Sequence, residues 1–166
     1  MIEFLKLGAV ATAVALFLLF AYTFATVLVL PFTQGALFVP TSRVRIRAIL
    51  DAVPITANQL LIDLGCGDGR MLSEAVRRYG VRCIGYELNP FAYCMARLNC
   101  LGRKKVEIRM RNLWKADISE ADVVFCYLFP DVLLELTKKL TRELKPGAVL
   151  VSCNFPVPGL ASEQVL

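Results

Sequence analysis

The stretch LIDLGCGDGR, Leu61 to Arg70, places an apolar run directly before a turn with three glycines at alternate positions. The apolar run is typical of a buried strand, and the residues after the turn have the apolar spacing of a helix. Gly65, Gly67 and Gly69 let the backbone turn sharply and approach a ligand closely, because glycine has no Cβ. The stretch therefore predicts a strand, a ligand-binding turn and a helix in direct succession.

The same alternation of strand and helix continues on both sides of this stretch. Further strand-like runs are VRCIGYELN, VEIRMRNL, ADVVFCYLF and PGAVLVSCNF, and helix-like segments are GRMLSEAVRRYG, PFAYCMARLNCLG and DVLLELTKKLTREL. A short helix near Arg43 to Val53 has Thr41 and Ser42 as candidate caps. Strands alternating with helices form a mostly parallel sheet covered on both faces. Right-handed crossovers then favour a doubly wound, Rossmann-like α/β fold.

The N-terminal part of the chain is far more apolar than this domain. No charged residue lies between Lys6 and Arg43, and Gly8 to Leu30 gives 23 uncharged residues. A helix of that length spans roughly 34 Å, enough to cross a bilayer. A cleaved signal peptide has a shorter apolar core, and a buried soluble helix is rarely apolar on every face. We predict a single membrane anchor over residues 1–30, a linker over 31–40 and the main domain over 41–166.

Charge indicates how the anchor is oriented and what the domain faces. Three arginines follow the apolar segment before the first acid, which places the domain in the cytoplasm. The start of the chain lacks an arginine-rich presequence, which favours a bacterial inner membrane over a mitochondrial one. The formal charge of +5 lies in residues 43–166. A basic domain beside an anionic leaflet explains this charge better than nucleic-acid binding does.

Cysteine and histidine content limits the possible chemistry. The chain has six cysteines, no CxxC pair and no histidine. We therefore predict no metal site, no imidazole base and no Ser-His or Cys-His nucleophile. The apolar surroundings of the cysteines indicate buried free thiols in a reducing compartment.

Polar residues at the strand ends suggest the kind of ligand. In such a sheet, ligands bind beyond the carboxyl ends of the strands, where the strand order reverses. Asp63 and Asp68 bracket the glycine turn, so they disfavour a pyrophosphate and suit a ligand with a positive end. Glu87 ends the second strand and could accept hydrogen bonds from ribose hydroxyls, although a surface carboxylate is the simpler alternative. Asn112 follows the third strand and is either an adenine contact or an ordinary turn residue.

Together, DLGCGDGR, GYELNP, RNLW and YLFP resemble successive motifs of class I S-adenosylmethionine-dependent methyltransferases. With the apolar N-terminus and FVPT, they resemble the membrane-anchored protein lysine methyltransferases related to the mitochondrial enzyme that acts on the c-subunit of ATP synthase. The resemblance implies S-adenosylmethionine as cofactor and a site closed by Val39 to Thr41. It implies these cofactor-binding residues: Asp63, Gly65, Cys66, Gly67, Asp68, Gly69, Glu87, Leu88, Asn112 and Leu113.

The same resemblance implies a lysine acceptor on a membrane-associated protein. Tyr127, Phe129 and Pro130 in YLFP would bind the substrate, although aromatic residues at a strand end are also ordinary core residues. The [DN]-P-P-[YF] motif of many base methyltransferases is absent, which counts against nucleic acid. No catalytic residue is assigned, because methyl transfer mainly requires positioning of donor and acceptor. A lipid or small-amphiphile methyltransferase and a non-catalytic, cofactor-binding assembly protein remain alternatives.

The end of the sequence departs from the usual pattern of this class. Methyltransferases of this class usually add an antiparallel hairpin after the fifth strand, whereas this sequence ends soon after it. We therefore expect no hairpin and an exposed apolar edge strand over Ala148 to Phe155. Such an edge favours pairing. Either another chain or the membrane covers this edge, or the sequence is a truncated form. We predict association beyond the monomer.

Overall fold

A computed structural model describes residues 2–33 and 41–161. Its helices and strands follow the predicted alternation, with one additional 3₁₀ helix at Leu113–Lys115. The elements are α1 (Ile2–Thr33), α2 (Arg43–Ala52), β1 (Leu60–Leu64), α3 (Arg70–Tyr79), β2 (Arg82–Glu87), α4 (Pro90–Asn99), β3 (Val106–Met110), β4 (Val123–Cys126), α5 (Pro130–Glu143) and β5 (Val149–Ser152).

The five strands form one sheet in the order β3-β2-β1-β4-β5, and every neighbouring pair is parallel. The chain builds outward from β1 to β3 on one side, then crosses to β4 and β5 on the other. The strand order therefore reverses between β1 and β4, and the glycine turn begins at the carboxyl end of β1. The predicted doubly wound Rossmann-like fold is confirmed.

Two apolar layers cover the sheet, one on each face. Alternate residues of β1 point to opposite faces: Leu61 packs with α2, α3 and α4, whereas Ile62 and Leu64 pack with α5 and the 3₁₀ helix. The period-2 pattern of the strands thus separates the helices into two layers. Helices α4 and α5 lie on opposite faces of the sheet.

Local sequence explains where the helices begin and end. The Ser42 side chain accepts from the backbone N–H of Arg45 at the start of α2. Asn89 caps α4 in the same way, and Pro90 occupies the first turn, where its missing N–H costs nothing. Gly80 ends α3 in the left-handed conformation, as predicted. Helix α4 ends at Asn99, three residues before the glycine expected to stop it.

Helix α1 is longer than the predicted anchor, because it continues to Thr33 and so includes residues 31–33 of the predicted linker. Within it, Lys6–Ala25 is long and apolar enough to cross a membrane, and its side chains are not buried against the rest of the chain. The remainder of the predicted linker, including Val39, and residues 162–166 lie outside the described residues. The domain boundaries remain predictions.

The last strand, β5, is shorter than predicted and lies at one edge of the sheet. All four of its residues, Val149–Ser152, are half-buried. No strand follows it in the described residues up to 161. Association beyond the monomer through this edge remains a prediction.

The third glycine of the turn offers a test of how tightly the turn packs on α4. Gly69 has φ +73°, and a Cβ there would lie 3.1 Å from the Cα and Cβ of Ala96. Gly80 has φ +63°, but its nearest neighbours would lie at 3.8 and 3.9 Å. Gly80→Ala should therefore cost only the left-handed backbone, about 1–2 kcal/mol. Gly69→Ala should cost about 1–3 kcal/mol more, because it also overpacks the contact with α4.

Thermal unfolding of the two variants in detergent, followed by circular dichroism, measures this difference. Gly80→Ala is the matched control because both positions have positive φ at a helix end. Equal losses of stability would show that Gly69 does not pack closely on α4.

Candidate functional site

A cleft lies at the carboxyl ends of β1, β2 and β4, where the strand order reverses. Its empty volume is about 840 Å³, a figure that includes space open to solvent. Ten of the sequence-predicted site residues line it: Asp63, Gly65, Cys66, Gly67, Asp68, Glu87, Leu88, Asn112, Leu113 and Tyr127. Gly69, Phe129 and Pro130 are not among the lining residues.

The glycine turn forms the floor of this cleft. Gly65, Gly67 and Gly69 all have positive φ, at +83°, +56° and +73°. The backbone N–H groups of Gly65 and Cys66 both donate to the carbonyl oxygen of Tyr86, at 2.9 and 3.0 Å. The turn is therefore fixed against β2, with no side chains on its glycines to block close approach by a ligand.

Asp63 is the most deeply buried acid of the site. The residue is only 3% exposed. Within residues 2–33 and 41–161, its carboxylate has no hydrogen bond or ion pair. Burial raises the pKa of the Asp63 carboxyl well above its usual value, and the nearby charges of Glu87 and Asp68 raise it further. A buried carboxylate without a partner is unfavourable, so this side chain suits a cationic group of a ligand.

Glu87 is held by three backbone hydrogen bonds. Its Oε2 accepts from the N–H of Gly67, and its Oε1 accepts from those of Leu88 and Asn89, each at 2.8 Å. Burial raises the pKa of the Glu87 carboxyl, and the backbone donors partly oppose this effect. The side chain therefore fixes the glycine turn in addition to facing the cleft. Sequence reasoning predicted only the second of these roles.

Asp68 has a partner that the sequence did not reveal. The guanidinium of Arg70 donates from Nε and Nη2 to both carboxylate oxygens, at 2.6 to 2.9 Å. The Nη1 of Arg70 donates to the carbonyl oxygen of Thr41 at 3.0 Å, and both residues line the cleft. Asp68 is thus neutralised, and Asp63 is the acid left to face a cation. Arg70 also connects the turn to the segment predicted to close the site.

Asn112 and Leu113 lie at the far end of the cleft, after β3. The Asn112 side-chain oxygen accepts from the backbone N–H of Trp114 at 3.0 Å and so caps the 3₁₀ helix. This fixes the side chain in place at the cleft wall. Leu113 is 8% exposed and adds an apolar surface beside it.

Tyr127 is the one residue of the predicted substrate site that lines the cleft. Its hydroxyl oxygen accepts from Nδ2 of Asn154 at 2.6 Å, and Oδ1 of Asn154 accepts from Arg45 at 3.3 Å. Asn154 has φ +69°, the only positive value for a non-glycine residue in the part of the chain described. Strained backbone of this kind is concentrated at functional sites. Asn154 lies two residues after the end of β5. A polar residue just after the fifth strand is the sequence signal that could have identified it.

Phe129 and Pro130 have different positions from Tyr127. Phe129 is 40% exposed, and its ring lies 6.2 Å from that of Phe155. Pro130 occupies the first turn of α5. Neither residue lines the cleft. Both follow the carboxyl end of β4, at the same edge of the sheet as the cleft.

The cysteines are free, and all except Cys94 are buried. Burial raises the pKa of the thiols of Cys83, Cys126 and Cys153 to about 12. The predicted buried free thiols are confirmed for the five buried cysteines. They do not supply a thiolate nucleophile at neutral pH.

The residues of the cleft fit S-adenosylmethionine, which has no phosphate and carries an ammonium, a sulfonium and an adenosine. Asp63 offers an unpaired buried carboxylate, and Glu87 is a fixed hydrogen-bond acceptor at the end of β2. The glycine turn has no side chains on its glycines, so a ligand can approach its backbone closely. A pyrophosphate would meet these carboxylates and be repelled.

Comparisons with known proteins agree with this fit. Residues 63–164 match the family described as the ANTKMT methyltransferase domain. The chain is 33% identical over 133 residues to a protein-lysine N-methyltransferase of Saccharolobus islandicus, a match that covers 78% of this chain and 83% of that protein. It is 31% identical over 144 residues to the ATP synthase c-subunit lysine N-methyltransferase of Homo sapiens, covering 81% of this chain and 61% of that protein.

Among solved structures, an RNA methyltransferase from Salinibacter ruber in complex with S-adenosyl-L-homocysteine has a TM-score of 0.75 and 36% identity, covering 77% of this chain and 86% of that one. The fold and the site define the protein as a class I S-adenosylmethionine-dependent methyltransferase. The chain belongs to the ANTKMT methyltransferase domain family, and S-adenosylmethionine is its cofactor.

Proposed function

We propose that this methyltransferase transfers a methyl group to lysine of a membrane-associated protein while α1 tethers it to the membrane. The observation that carries this proposal is the 33% identity over 83% of the archaeal protein-lysine N-methyltransferase. The resemblance of the motifs to the membrane-anchored lysine methyltransferases supports the same acceptor.

In this proposal, the cleft holds the cofactor along the carboxyl ends of β1 and β2. Asp63 would hold the ammonium of the methionine part, and the glycine turn, with Cys66 and Asp68, would bind the rest of that part. Glu87 keeps lone pairs free on its carboxylate to accept from the ribose hydroxyls, because Oε2 receives only one backbone donor. Leu88, Asn112 and Leu113 would hold the adenine.

Bound S-adenosylmethionine supplies a methyl group activated by a sulfonium, and the chain supplies the position of the acceptor. Tyr127 lies at the end of β4, beside the end of β1 where the cofactor turn begins. Its ring would flank the aliphatic stem of the lysine, with Phe129 and Pro130 further out. A lysine that enters this site loses water, which lowers the pKa of its amine and favours the neutral form that reacts.

The tether and its orientation complete the proposal. Helix α1 contains the candidate span Lys6–Ala25. Arg43, Arg45 and Arg47 follow it, which favours a domain in the cytoplasm. The membrane in this proposal is a bacterial inner membrane. A tether raises the effective concentration of membrane-bound acceptors without any new contact.

Transfer of tritiated methyl groups in native membranes tests the acceptor. We expect label in protein, and hydrolysis of that protein should yield methylated lysine. Asp63→Asn should lose the label, because the cofactor is not bound, whereas Leu134→Ala on the exposed side of α5 should retain it.

Two other acceptors have some support and are separated by the same experiment. The Salinibacter ruber neighbour is described as an RNA methyltransferase, and a membrane tether would also suit a lipid. Label that partitions into RNA or into the organic phase, with none in protein, would overturn the lysine assignment.

The Asn154 contact predicts a change in acceptor use without a change in cofactor binding. Glycine tolerates φ +69° better than asparagine does, so Asn154→Gly removes the hydrogen bond to Tyr127 while relieving backbone strain. We expect unfolding temperature to stay unchanged or rise, and cofactor Kd to stay unchanged. The kcat/KM for the protein acceptor should fall about 5- to 10-fold, the value of one hydrogen bond. A purely structural role for Asn154 would instead lower stability and all activities together.

A further inference from the structure

The outer face of α4 is apolar although it faces away from the core. Phe91, Met95 and Leu98 are 53%, 36% and 65% exposed, and Leu101, just after the helix, is 80% exposed. Cys94 is also exposed. Positions 91, 94, 95 and 98 lie on one side of a helix, so they form a continuous stripe. We call these five residues the α4 stripe.

The opposite side of α4 is also apolar and is already used. Ala92 and Ala96 are buried, and Ala96 packs in the core layer that contains α2 and α3. A surface helix of a soluble domain normally presents polar residues on its outer side. A helix that is apolar on two sides therefore requires a second apolar environment, and a contiguous exposed patch indicates an interaction surface.

Charge around the stripe indicates the chemistry of that environment. Residues 88–106 contain four basic residues and no acid. Arg97 and Lys104 are exposed there, and Lys105, also exposed, donates from Nζ to the carbonyl oxygen of Gly80 at 2.6 Å. An apolar stripe with a basic border is complementary to a bilayer with anionic headgroups.

Helix α1 contacts the same face. The ring of Tyr22 packs edge-on against the ring of Phe91, with centroids 5.0 Å apart. Tyr22 lies within the candidate span of α1. The contact therefore places the start of the α4 stripe beside the part of α1 that is proposed to enter the bilayer.

We propose that the α4 stripe lies in the headgroup region of an anionic bilayer, beside α1. Asn89 caps α4 and also lines the cleft, so this docking places the rim of the cleft next to the membrane surface. An acceptor on a membrane protein would then meet the cleft without leaving the bilayer. The inference rests on the proposed membrane tether and is independent of which acceptor is methylated.

The native thiol of Cys94 allows a direct test with the full chain, because the other five cysteines are buried. The thiol is labelled with an environment-sensitive fluorophore, and the protein is reconstituted into vesicles of phosphatidylcholine with phosphatidylglycerol. Brominated lipids should quench this label several-fold more than a label at Leu134→Cys in a Cys94→Ser background. Leu134 is the matched control, since it is 60% exposed on α5, on the opposite face of the sheet.

A second arm tests the charge. Lys104→Glu should reduce quenching of the Cys94 label, and the change should be larger in anionic vesicles than in phosphatidylcholine alone. Lys138→Glu, an exposed position of α5, is the control and should have no effect.

Equal quenching at the two positions, or none at either, would overturn the proposal. Protection of the Cys94 label that rises with protein concentration in detergent would also overturn it, since a second copy would then cover the stripe. The fluorescence is measured without cofactor. A failure of lysine methylation therefore leaves this result unchanged, and failure of docking leaves the acceptor assay unchanged.

Discussion

Replacing Asp63 with asparagine is expected to weaken S-adenosylmethionine binding about 100- to 5,000-fold, because removing one partner of a buried ion pair costs about 3–5 kcal/mol. The same substitution is expected to stabilise the protein without cofactor. The wild-type carboxylate is 3% exposed and has no hydrogen bond or ion pair to the described residues. Asparagine keeps the shape of the side chain but removes the buried charge.

The stabilisation should depend on pH in a defined direction. Burial raises the pKa of Asp63 in the folded protein above that in the unfolded chain. The folded state therefore binds more protons, and wild-type stability falls as pH rises from about 4, the unfolded pKa, toward the folded pKa. The stability of the Asp63→Asn variant does not fall with pH in this way, because asparagine does not ionise. Its advantage in unfolding temperature should be largest at neutral pH and should shrink as pH falls toward about 4.

Calorimetric titration with the cofactor and thermal unfolding at several pH values measure the two effects. Asp122→Asn is the matched control, because the hydrogen bond from Lys145 lowers the pKa of the Asp122 carboxyl. That variant should lose stability at neutral pH and keep its cofactor affinity. If Asp63→Asn binds the cofactor as tightly as wild type, Asp63 does not face the ammonium.

The sequence predicted the parts of this site that depend on short stretches of chain. The apolar run before Gly65 identifies β1, and the glycine spacing identifies the turn at its end. Glu87 was placed correctly because a polar residue at a strand end in a parallel sheet must lie at the same edge as the turn. The class of cofactor followed from these local features and from the motifs that contain them.

Contacts between distant residues could not be predicted in the same way. The bond from Gly67 to Glu87 joins residues 20 apart, and that from Arg70 to Thr41 joins residues 29 apart. Neither pairing has a periodic signal, because both depend on how separate elements meet. The extent of α1 to Thr33 was missed because Pro31 suggested a helix end, although proline removes only one backbone bond there.

The α4 stripe shows a different limit. PFAYCMARLN has enough apolar residues to be predicted as a helix, but periodicity alone does not say how many of its sides are buried. Only the positions of Ala92 and Ala96 against the core show that Phe91 and Leu98 face outward.

Glu87→Gln is expected to have the opposite effect on the cofactor-free protein from Asp63→Asn, although each replaces an acid by its amide. The Glu87 carboxylate accepts three backbone hydrogen bonds, whereas an amide nitrogen in its place would meet an N–H and could not accept. Hydrogen bonds to a charged group contribute about 1.5–3 kcal/mol each. Relief of the desolvation that raises the pKa of Glu87 offsets part of this loss. We expect a net loss of stability of about 1–3 kcal/mol, within the cost of one unsatisfied buried group.

Cofactor affinity should fall as well, by about 10- to 100-fold, because the glycine turn is no longer held and one acceptor for the ribose is lost. Thermal unfolding without cofactor separates the two roles of Glu87. A carboxylate that only faced the ribose would leave the unfolding temperature unchanged in Glu87→Gln, whereas one that holds Gly67 must lower it. Glu107→Gln is the control, since Glu107 pairs with Arg109 on the exposed edge strand β3, where ion pairs contribute about 0–1 kcal/mol. A drop in affinity with unchanged stability would show that the turn keeps its shape without Glu87.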